Sequence, residues 1–251
     1  NVTNPNLNPF LSNNLDVAVE YYLSREAYLS ASAFAKDLIG RPGTRVTSYL
    51  LSQLDAMYGT VGLTDTQLLA VNASGGRDKH TVEISEPYNI TTKLKIRGYE
   101  LTWQQPLDML PVKGFGFTAN YTYTKQTDTV PNALPVAGVP PKTTNLTVYY
   151  ERNGWSFRAV RSSTSQMITN ASPGFVGGQG FYTYQAARTQ IDLSAGVDLK
   201  KILGNKYAPS INFSLWNATN EVTNQFVKFE KAVFDQYKPG RSFNLSLRSA
   251  F

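Results

Sequence analysis

The sequence predicts an all-β fold, an antiparallel up-and-down transmembrane β-barrel segment of about nine strands. Three observations predict it. Apolar residues recur at every second position in run after run. The links between runs alternate between short and long. The last run, RSFNLSLRSAF (Arg241 to Phe251), puts Phe243, Leu245, Leu247 and Phe251 on one face, with Ser249 as the single interruption. Ser242, Asn244, Ser246, Arg248 and Ala250 face the other way. A soluble protein has little use for a terminal Phe on the apolar face of its last strand. A membrane barrel turns its apolar faces outward to lipid and uses such a row.

Composition agrees. The 251 residues include Tyr 15 and Phe 13, 12% aromatics and 17% charged residues, which is too aromatic for a disordered chain. No apolar run approaches the roughly 20 residues of a membrane helix. The mean hydropathy of −0.29 fits strands that are apolar on one face only. With Cys 0 there are neither disulfides nor thiolate metal sites. The net charge of +6 comes from scattered basic residues, which argues against nucleic-acid binding and fits contact with anionic headgroups. The first ten residues, NVTNPNLNPF, lack the basic and apolar regions of a signal peptide.

The elements follow in order. Leu15, Val17, Val19 and Tyr21 alternate with Asp16, Ala18, Glu20 and Tyr22, and a tight turn at Ser24–Glu26 leads to a second strand over about 27–38, whose faces the pattern does not assign. Residues 39–90 read as a long irregular stretch with a helical turn near Tyr49–Tyr58 and a Gly-Gly-Arg-Asp tip at 75–78. The third strand sets Tyr99, Leu101 and Trp103 against Gly98, Glu100 and Thr102. The fourth sets Phe115, Phe117, Ala119, Tyr121 and Tyr123 against Gly116, Thr118, Asn120, Thr122 and Thr124. A loop with Pro131, Pro135, Pro140 and Pro141 follows. The fifth strand carries Leu146, Val148 and Tyr150, and Asn153-Gly154 is a two-residue hairpin signal into a sixth with Trp155, Phe157 and Ala159. After a Gly-rich loop to about Gln185, the seventh carries Ile191, Leu193, Ala195, Val197 and Leu199. A turn at Leu203–Lys206 leads to the eighth, with Ile211, Phe213 and Leu215, and a loop over about 219–238 precedes the ninth.

The links after the odd-numbered strands are short; those after the even-numbered strands run to about 15–50 residues. Outer-membrane barrels sort their links this way, with short periplasmic turns and long extracellular loops. By parity the ninth strand runs inward and ends in the periplasm, and the first also runs inward. An odd strand number leaves two unpaired edges, which lipid does not tolerate. Residues 1–251 are therefore expected to be the C-terminal portion of a longer barrel, with the plug domain and earlier strands outside them. A 22-stranded, plugged barrel at this density needs on the order of 600 residues.

Several segments resemble the barrel of TonB-dependent outer-membrane receptors: Asn4-Pro-Asn-Leu-Asn-Pro-Phe10, Asn14-Leu-Asp-Val-Ala-Val-Glu-Tyr-Tyr22, Arg97-Gly-Tyr-Glu-Leu101, Ala119-Asn-Tyr-Thr-Tyr123 and Asn145-Leu-Thr-Val-Tyr-Tyr150. Asn217-Ala-Thr-Asn-Glu221, Pro239-Gly-Arg-Ser-Phe243 and terminal Phe251 complete the resemblance. Glu100-Leu-Thr-Trp-Gln-Gln-Pro-Leu107 with Gly114-Phe-Gly116 is most similar to the Caulobacter–Xanthomonas type. Two positions depart from the pattern: Val160-Arg-Ser-Ser163 lacks a tyrosine, and Ala250 replaces a basic residue. The resemblance implies a plugged 22-stranded barrel in the outer membrane of a Gram-negative bacterium. It implies import energised by TonB, which engages a box in the missing N-terminal part. It further implies outer-membrane lipid and lipopolysaccharide, the barrel-assembly machinery and a surface lipoprotein as partners. Carbohydrate is the first substrate expectation and a siderophore–iron complex the second; a passive porin-like channel and a soluble all-β binding module are the alternatives.

No catalytic, cofactor or metal site is legible. His80 is the only histidine and has no serine or carboxylate pattern around it. Asp192 and Asp198 lie six residues apart on one polar face, about 20 Å, and read as solvated lumen acids. The Asn-x-Ser/Thr sites at Asn89, Asn120, Asn145, Asn212, Asn217 and Asn244 are mostly polar strand faces. Tyr21, Tyr121, Tyr123, Tyr150, Trp103 and Trp155 read as interfacial girdle. The loop aromatics Phe181, Tyr182, Tyr184, Phe226, Phe229, Phe234 and Tyr237 are the candidate substrate contacts, since rings stack on sugars and aromatic ligands. Phe175 lies in the same loop. Phe243, Leu245, Leu247 and Phe251 are expected to form the signal read by the barrel-assembly machinery.

Overall fold

The computed structural model describes residues 3–128, 135–170 and 182–249. In chain order the elements are β1 (Leu11–Tyr22), β2 (Tyr28–Ile39), β3 (Arg41–Leu50), α1 (Leu51–Tyr58), α2 (Asp65–Ala73), a 3-10 turn (Arg77–Lys79), β4 (Thr81–Ile90), β5 (Leu94–Pro106), β6 (Phe115–Asp128), β7 (Lys142–Arg152), β8 (Trp155–Thr164), β9 (Met167–Asn170), β10 (Thr183–Gln185), β11 (Arg188–Asp198), α3 (Leu199–Leu203), β12 (Ser210–Trp216), β13 (Thr223–Val227), β14 (Val233–Tyr237) and β15 (Ser242–Arg248).

Nine of these strands form one sheet, in the order β1-β2-β5-β6-β7-β8-β11-β12-β15. They are the nine expected from the alternating pattern, taken in sequence order. The sheet is open among the described residues, with β1 and β15 at its edges. Pairing keeps like faces in register: Tyr99 opposes Tyr123, Val148 opposes Ala159, and Leu245 opposes Phe213. Asn153 at φ 50 and Gly154 at φ 84 make the tight β7–β8 turn that the sequence signals, with both residues left-handed as a primed turn demands. The side chain that a non-glycine residue would carry at 154 would meet Asp198 O at 2.8 Å.

The faces of β2 are now assigned. Leu29 and Ala31 join Leu101, Trp103 and Ala119 on the apolar face. Phe34 lies on the other face and covers Gly98, where a Cβ would strike both the Phe34 ring and the Tyr123 carbonyl. The pattern was ambiguous because this polar face carries a large ring over a glycine.

Little protein covers the apolar face. The chain exposes 16978 Å², whereas a soluble globular monomer of 27.8 kDa exposes about 11,000 Å². Phe243, Leu245 and Leu247 are 75%, 69% and 69% exposed. Lipid is the solvent that such a face requires. Phe251, at the end of this row, lies outside the described residues.

The structure corrects the sequence reading in three places. Residues 39–90 are not irregular: β3 and β4 pair in unbroken register from Arg41↔Ile90 to Leu50↔Thr81. β4 alternates Val82, Ile84, Tyr88 and Ile90 with Thr81, Glu83, Ser85, Pro87 and Asn89, broken by Glu86, whereas β3 opposes them with Arg41, Gly43, Arg45 and Thr47, and Pro42 and Pro87 read as loop. The loops after β8 and β12 hold four short strands, β9, β10, β13 and β14, too short for periodicity to register. Strand seven stops at Asp198, whose carboxylate accepts from Lys200 N (3.1 Å) and starts α3; Gly204, at φ 68, ends that helix.

Contacts divide the chain into two units, 1–12 with 38–93 and 13–37 with 94–251. In the first unit the β3–β4 hairpin carries α1 and α2. Thr64 and Gln67 form a capping box at the start of α2: Gln67 N donates to Thr64 Oγ1 (3.3 Å) and Thr64 N to Gln67 Oε1 (3.0 Å). Arg77 ties the linker between the helices. Its guanidinium grips the Asp55 carboxylate through Nε and through Nη2 (2.6 Å), and Nη2 also donates to Val61 O (2.9 Å). Asp55 Oδ1 accepts from Val61 N (2.8 Å).

Two predictions follow from these contacts. Leu245→Lys puts an ammonium into hydrocarbon and is expected to cost about 2–4 kcal/mol, whereas Ser246→Lys on the lumen face stays within about 0.5 kcal/mol. Urea titration of the vesicle-reconstituted receptor, read by heat-modifiable gel migration, separates the two. The hydrogen bond from Arg77 holds the Asp55 carboxyl below its ordinary value. A depressed folded value means that the pair contributes fully above the unfolded carboxylate value of about 4 and fades as pH falls through the folded one. Proteolytic nicking at residues 59–64 should therefore rise as pH falls below about 4, and should be high at every pH in Asp55→Asn.

Candidate substrate site

The second unit gathers its loops on the side of the long connections. β9 and β10 come from the β8–β11 loop, β13 and β14 from the β12–β15 loop, and together they make a four-stranded sheet ordered β14-β13-β10-β9. Tyr184 on β10 opposes Phe226 on β13, and the rings stack at 5.3 Å and 17°. Tyr182 meets Tyr184 edge-on at 6.4 Å. This platform is hydrogen-bonded to the Pro-rich loop through Gly138 N, which donates to Ile168 O (2.7 Å). Gln126, at the end of β6, clamps the same loop: its Oε1 accepts from Val136 N (2.8 Å) and its Nε2 donates to Val136 O (3.0 Å).

Between these parts lies a cavity of about 420 Å³, bounded by Thr124, Gln126, Val136, Met167, Ile168 and Tyr184. Lys125 and Gln166 also line it. It joins apolar walls, one aromatic ring and several amide and hydroxyl groups, the mixture that orients a small polar ligand.

The loop aromatics divide. Phe226 is 2% exposed and spent on packing the two loops together. Tyr182 and Tyr184 are half-buried, and Tyr184 reaches the cavity. Phe229, Phe234 and Tyr237 are exposed, and the Lys228 ammonium lies 5.3 Å over the Phe229 ring. β14 is exposed along its whole length. Phe181 and Phe175 lie outside the described residues, as does Pro131 of the Pro-rich loop.

The platform is held by a latch whose role the sequence did not announce. Asn217 is 4% exposed and adopts φ 54. Its backbone N donates to Asp192 Oδ1 (2.7 Å), and its Nδ2 donates to Glu221 O (3.1 Å) and Gly240 O (2.8 Å). Its Oδ1 accepts from Glu221 N (2.6 Å), and Glu221 Oε1 accepts from Thr189 N (2.9 Å). Arg241 Nε donates to Ala218 O (2.9 Å), and Ala218 N to Ile191 O (2.7 Å). The segments Asn217–Glu221 and Pro239–Phe243 thus close both ends of the last loop onto β11. Asp192 is accordingly not a free lumen acid: it also accepts from Gln190 Nε2 (2.9 Å), and Arg188 continues the network to Thr223 Oγ1 (3.1 Å). Asn217 fills the acceptor and donor sites with protein groups, which explains its Asn without a glycan. The signal was present in the spacing of the two segments, but only the fold shows that they touch.

His80 has a partner in the first unit. Ser74 Oγ lies 2.8 Å from His80 Nε2 and also donates to Ala70 O.

An antiparallel sheet with one lipid-facing side, short turns at one end and folded loops at the other defines an outer-membrane β-barrel protein. The chain belongs to the TonB-dependent receptor family: the model for "TonB dependent receptor-like, beta-barrel" matches residues 1–220. Proteins of this family are transporters of the outer membrane, engaged in TonB-linked import, and not enzymes. No curated protein matches the chain.

Asn217→Ala removes the latch and strands buried backbone groups, at about 1–3 kcal/mol for each one left unpaired. Hydrogen exchange at the Ala218 and Glu221 amides is expected to accelerate, with the Val148 and Leu193 amides in the central strands unchanged.

Proposed function

We propose that this chain is the C-terminal portion of a receptor that imports a scarce nutrient at the expense of TonB-delivered energy, and that the nutrient is a carbohydrate. On this reading the plug, the TonB box and the earlier strands belong to the same receptor outside residues 1–251. The substrate binds at the loop platform, and plug rearrangement releases it inward; no covalent chemistry is needed. Phe243, Leu245, Leu247 and Phe251 form the assembly signal, and a surface lipoprotein would meet the same extracellular loops.

The observation that supports the carbohydrate reading is the platform cavity, whose lining includes Tyr184, Gln126 and Gln166. An aromatic face packs against sugar C–H groups while amides take up hydroxyls. Exposed Phe229, Phe234 and Tyr237 extend the aromatic surface. A ferric siderophore is the competing cargo.

Equilibrium binding of labelled oligosaccharides and ferric siderophores to the intact receptor separates the two. Oligosaccharide binding is expected, weakened about tenfold by Tyr184→Ala, the loss of one ring contact of about 1.4 kcal/mol. Uptake should stop in cells without TonB. Tight binding of a siderophore and of no oligosaccharide overturns the carbohydrate assignment, and uptake that survives without TonB makes the barrel a passive channel.

A further inference from the structure

The platform cavity leads inward along one wall of the sheet. Thr124 and Gln126 of β6 line the cavity. By the pleat, the next residues on the same lumen-facing side of β6 are Thr122, Asn120, Thr118 and Gly116. Pairing sets three of these in rows with β7 and β8. Thr122 stands opposite Thr143, and Thr143 opposite Thr164. Asn120 stands opposite Asn145, and Asn145 opposite Ser162. Thr118 stands opposite Thr147, and Thr147 opposite Val160. Val160 is the one apolar member of the three rows; the others carry hydroxyls or amides, and none is charged. Rows lie about 7 Å apart along the strands and columns about 4.8 Å apart across them, so this neutral wall is about 14 Å deep.

The wall has defined borders. Formal charges stand on both flanks and not within it: Glu100 of β5 is opposite Thr122, and Arg188 and Asp192 of β11 are opposite Thr164 and Val160. Arg188 and Asp192 are already engaged by the latch. At the inward end the Tyr149 side chain covers Gly116, where a Cβ would strike its ring. There Arg158 Nη2 also donates to Glu151 Oε1 (2.9 Å) across β7 and β8. Between these borders the polar groups are available. Among the described residues Asn145, Thr147 and Ser162 form no side-chain hydrogen bond to protein, and none of their polar atoms is sealed from solvent. Thr102 Oγ1 donates to Asn120 Oδ1 (2.9 Å), which leaves the Asn120 Nδ2 donors to the lumen.

We propose that the lumen wall of β6, β7 and β8 is a transit track, a series of weak subsites along which an uncharged, hydroxyl-rich solute moves inward from the cavity. A sugar that sheds water there exchanges it for amides and hydroxyls, each bond contributing about 1 kcal/mol. Sites of that strength, repeated row by row, hold a solute without trapping it. A charged chelate would find no counter-charge on the wall and would pay for its lost hydration. This assignment rests on the carbohydrate reading and adds the side of the lumen that the sugar follows.

The test is photo-cross-linking of the intact receptor in cells with a diazirine-tagged neutral oligosaccharide, mapped by mass spectrometry. In cells without TonB, cross-links are expected at the cavity alone, on Gln126 and Tyr184. With TonB they should extend to Asn120, Asn145 and Thr147. They should spare Ser214 and Asn244, which oppose one another on the lumen face of β12 and β15. Asn145→Leu with Thr147→Leu should slow TonB-dependent uptake about tenfold and leave oligosaccharide affinity unchanged, the KM-independent loss that a transit step predicts. Asn145→Gln with Thr147→Ser should keep the wild-type rate. Cross-links that stay at the cavity during uptake, cross-links on Ser214 and Asn244 instead, or wild-type uptake by the leucine variant overturn the track and leave the carbohydrate reading standing. Binding of a ferric siderophore and of no oligosaccharide overturns both. The cross-linking uses the wild-type receptor, so it decides the matter even if a variant fails to assemble.

Discussion

Hydrocarbon offers a peptide group no hydrogen-bond partner, and an unpaired N–H or C=O there costs several kcal/mol. A strand can cross such a medium only if its neighbours take up its backbone on both sides. The nine-stranded ladder from β1 to β15 does this for every internal strand. Once the backbone is satisfied laterally, side chains are free to answer to whatever each face touches. One face answers to lipid with Leu, Val, Phe and Trp, the other to water with Asn, Thr, Ser and Gln. The buried core shrinks accordingly: among the described residues the buried apolar side chains are Ala27, Leu38, Leu51, Leu54, Leu94, Ala208 and Phe226. The lipid does the work that a core does elsewhere.

The same ladder sets where the long loops gather. Antiparallel neighbours deliver every second connection to one end, and the long connections are all at that end. There the medium is water, and the loops need their own means of holding shape. Two means are visible. Short strands from two different loops pair into a small sheet, stapled by the Tyr184–Phe226 stack. Side-chain clamps then fix the loops to the barrel strands, Gln126 to Val136 and Asn217 to Glu221, Gly240 and Asp192.

The lipid face is not uniform either. Along β5 and β6 it passes from leucine and tryptophan through tyrosine to lysine and arginine within a few residues. Each change follows the local solvent, from acyl chain to interface to headgroup. Arg97, opposite Lys125, is paired with Asp37 at 2.7 Å.

How much of this was legible before folding depends on what repeats. Eight of the nine membrane strands could be read from residues 15–22, 99–103, 115–124, 146–150, 155–159, 191–197, 211–215 and 243–247, because two opposed solvents impose a period of two over many residues; the second, about 27–38, could be placed but its faces could not. The Asn153-Gly154 turn was legible because its backbone shape admits few residues. The β3–β4 hairpin was not, because only β4 alternates, at Val82, Ile84, Tyr88 and Ile90, while β3 carries no matching apolar row and both strands contain proline. β9, β10, β13 and β14 were not, because three to five residues carry no measurable period. The latch escaped as well: Asn217, Asp192 and Gly240 are distant in sequence, and nothing local marks an asparagine as the partner of a remote carboxylate. Membrane solvation acts on each strand separately and is therefore written into each strand's own sequence. The loop platform and the division of its aromatics into buried Phe226 and exposed Phe229, Phe234 and Tyr237 depend on register between strands, which exists only once the chain has paired.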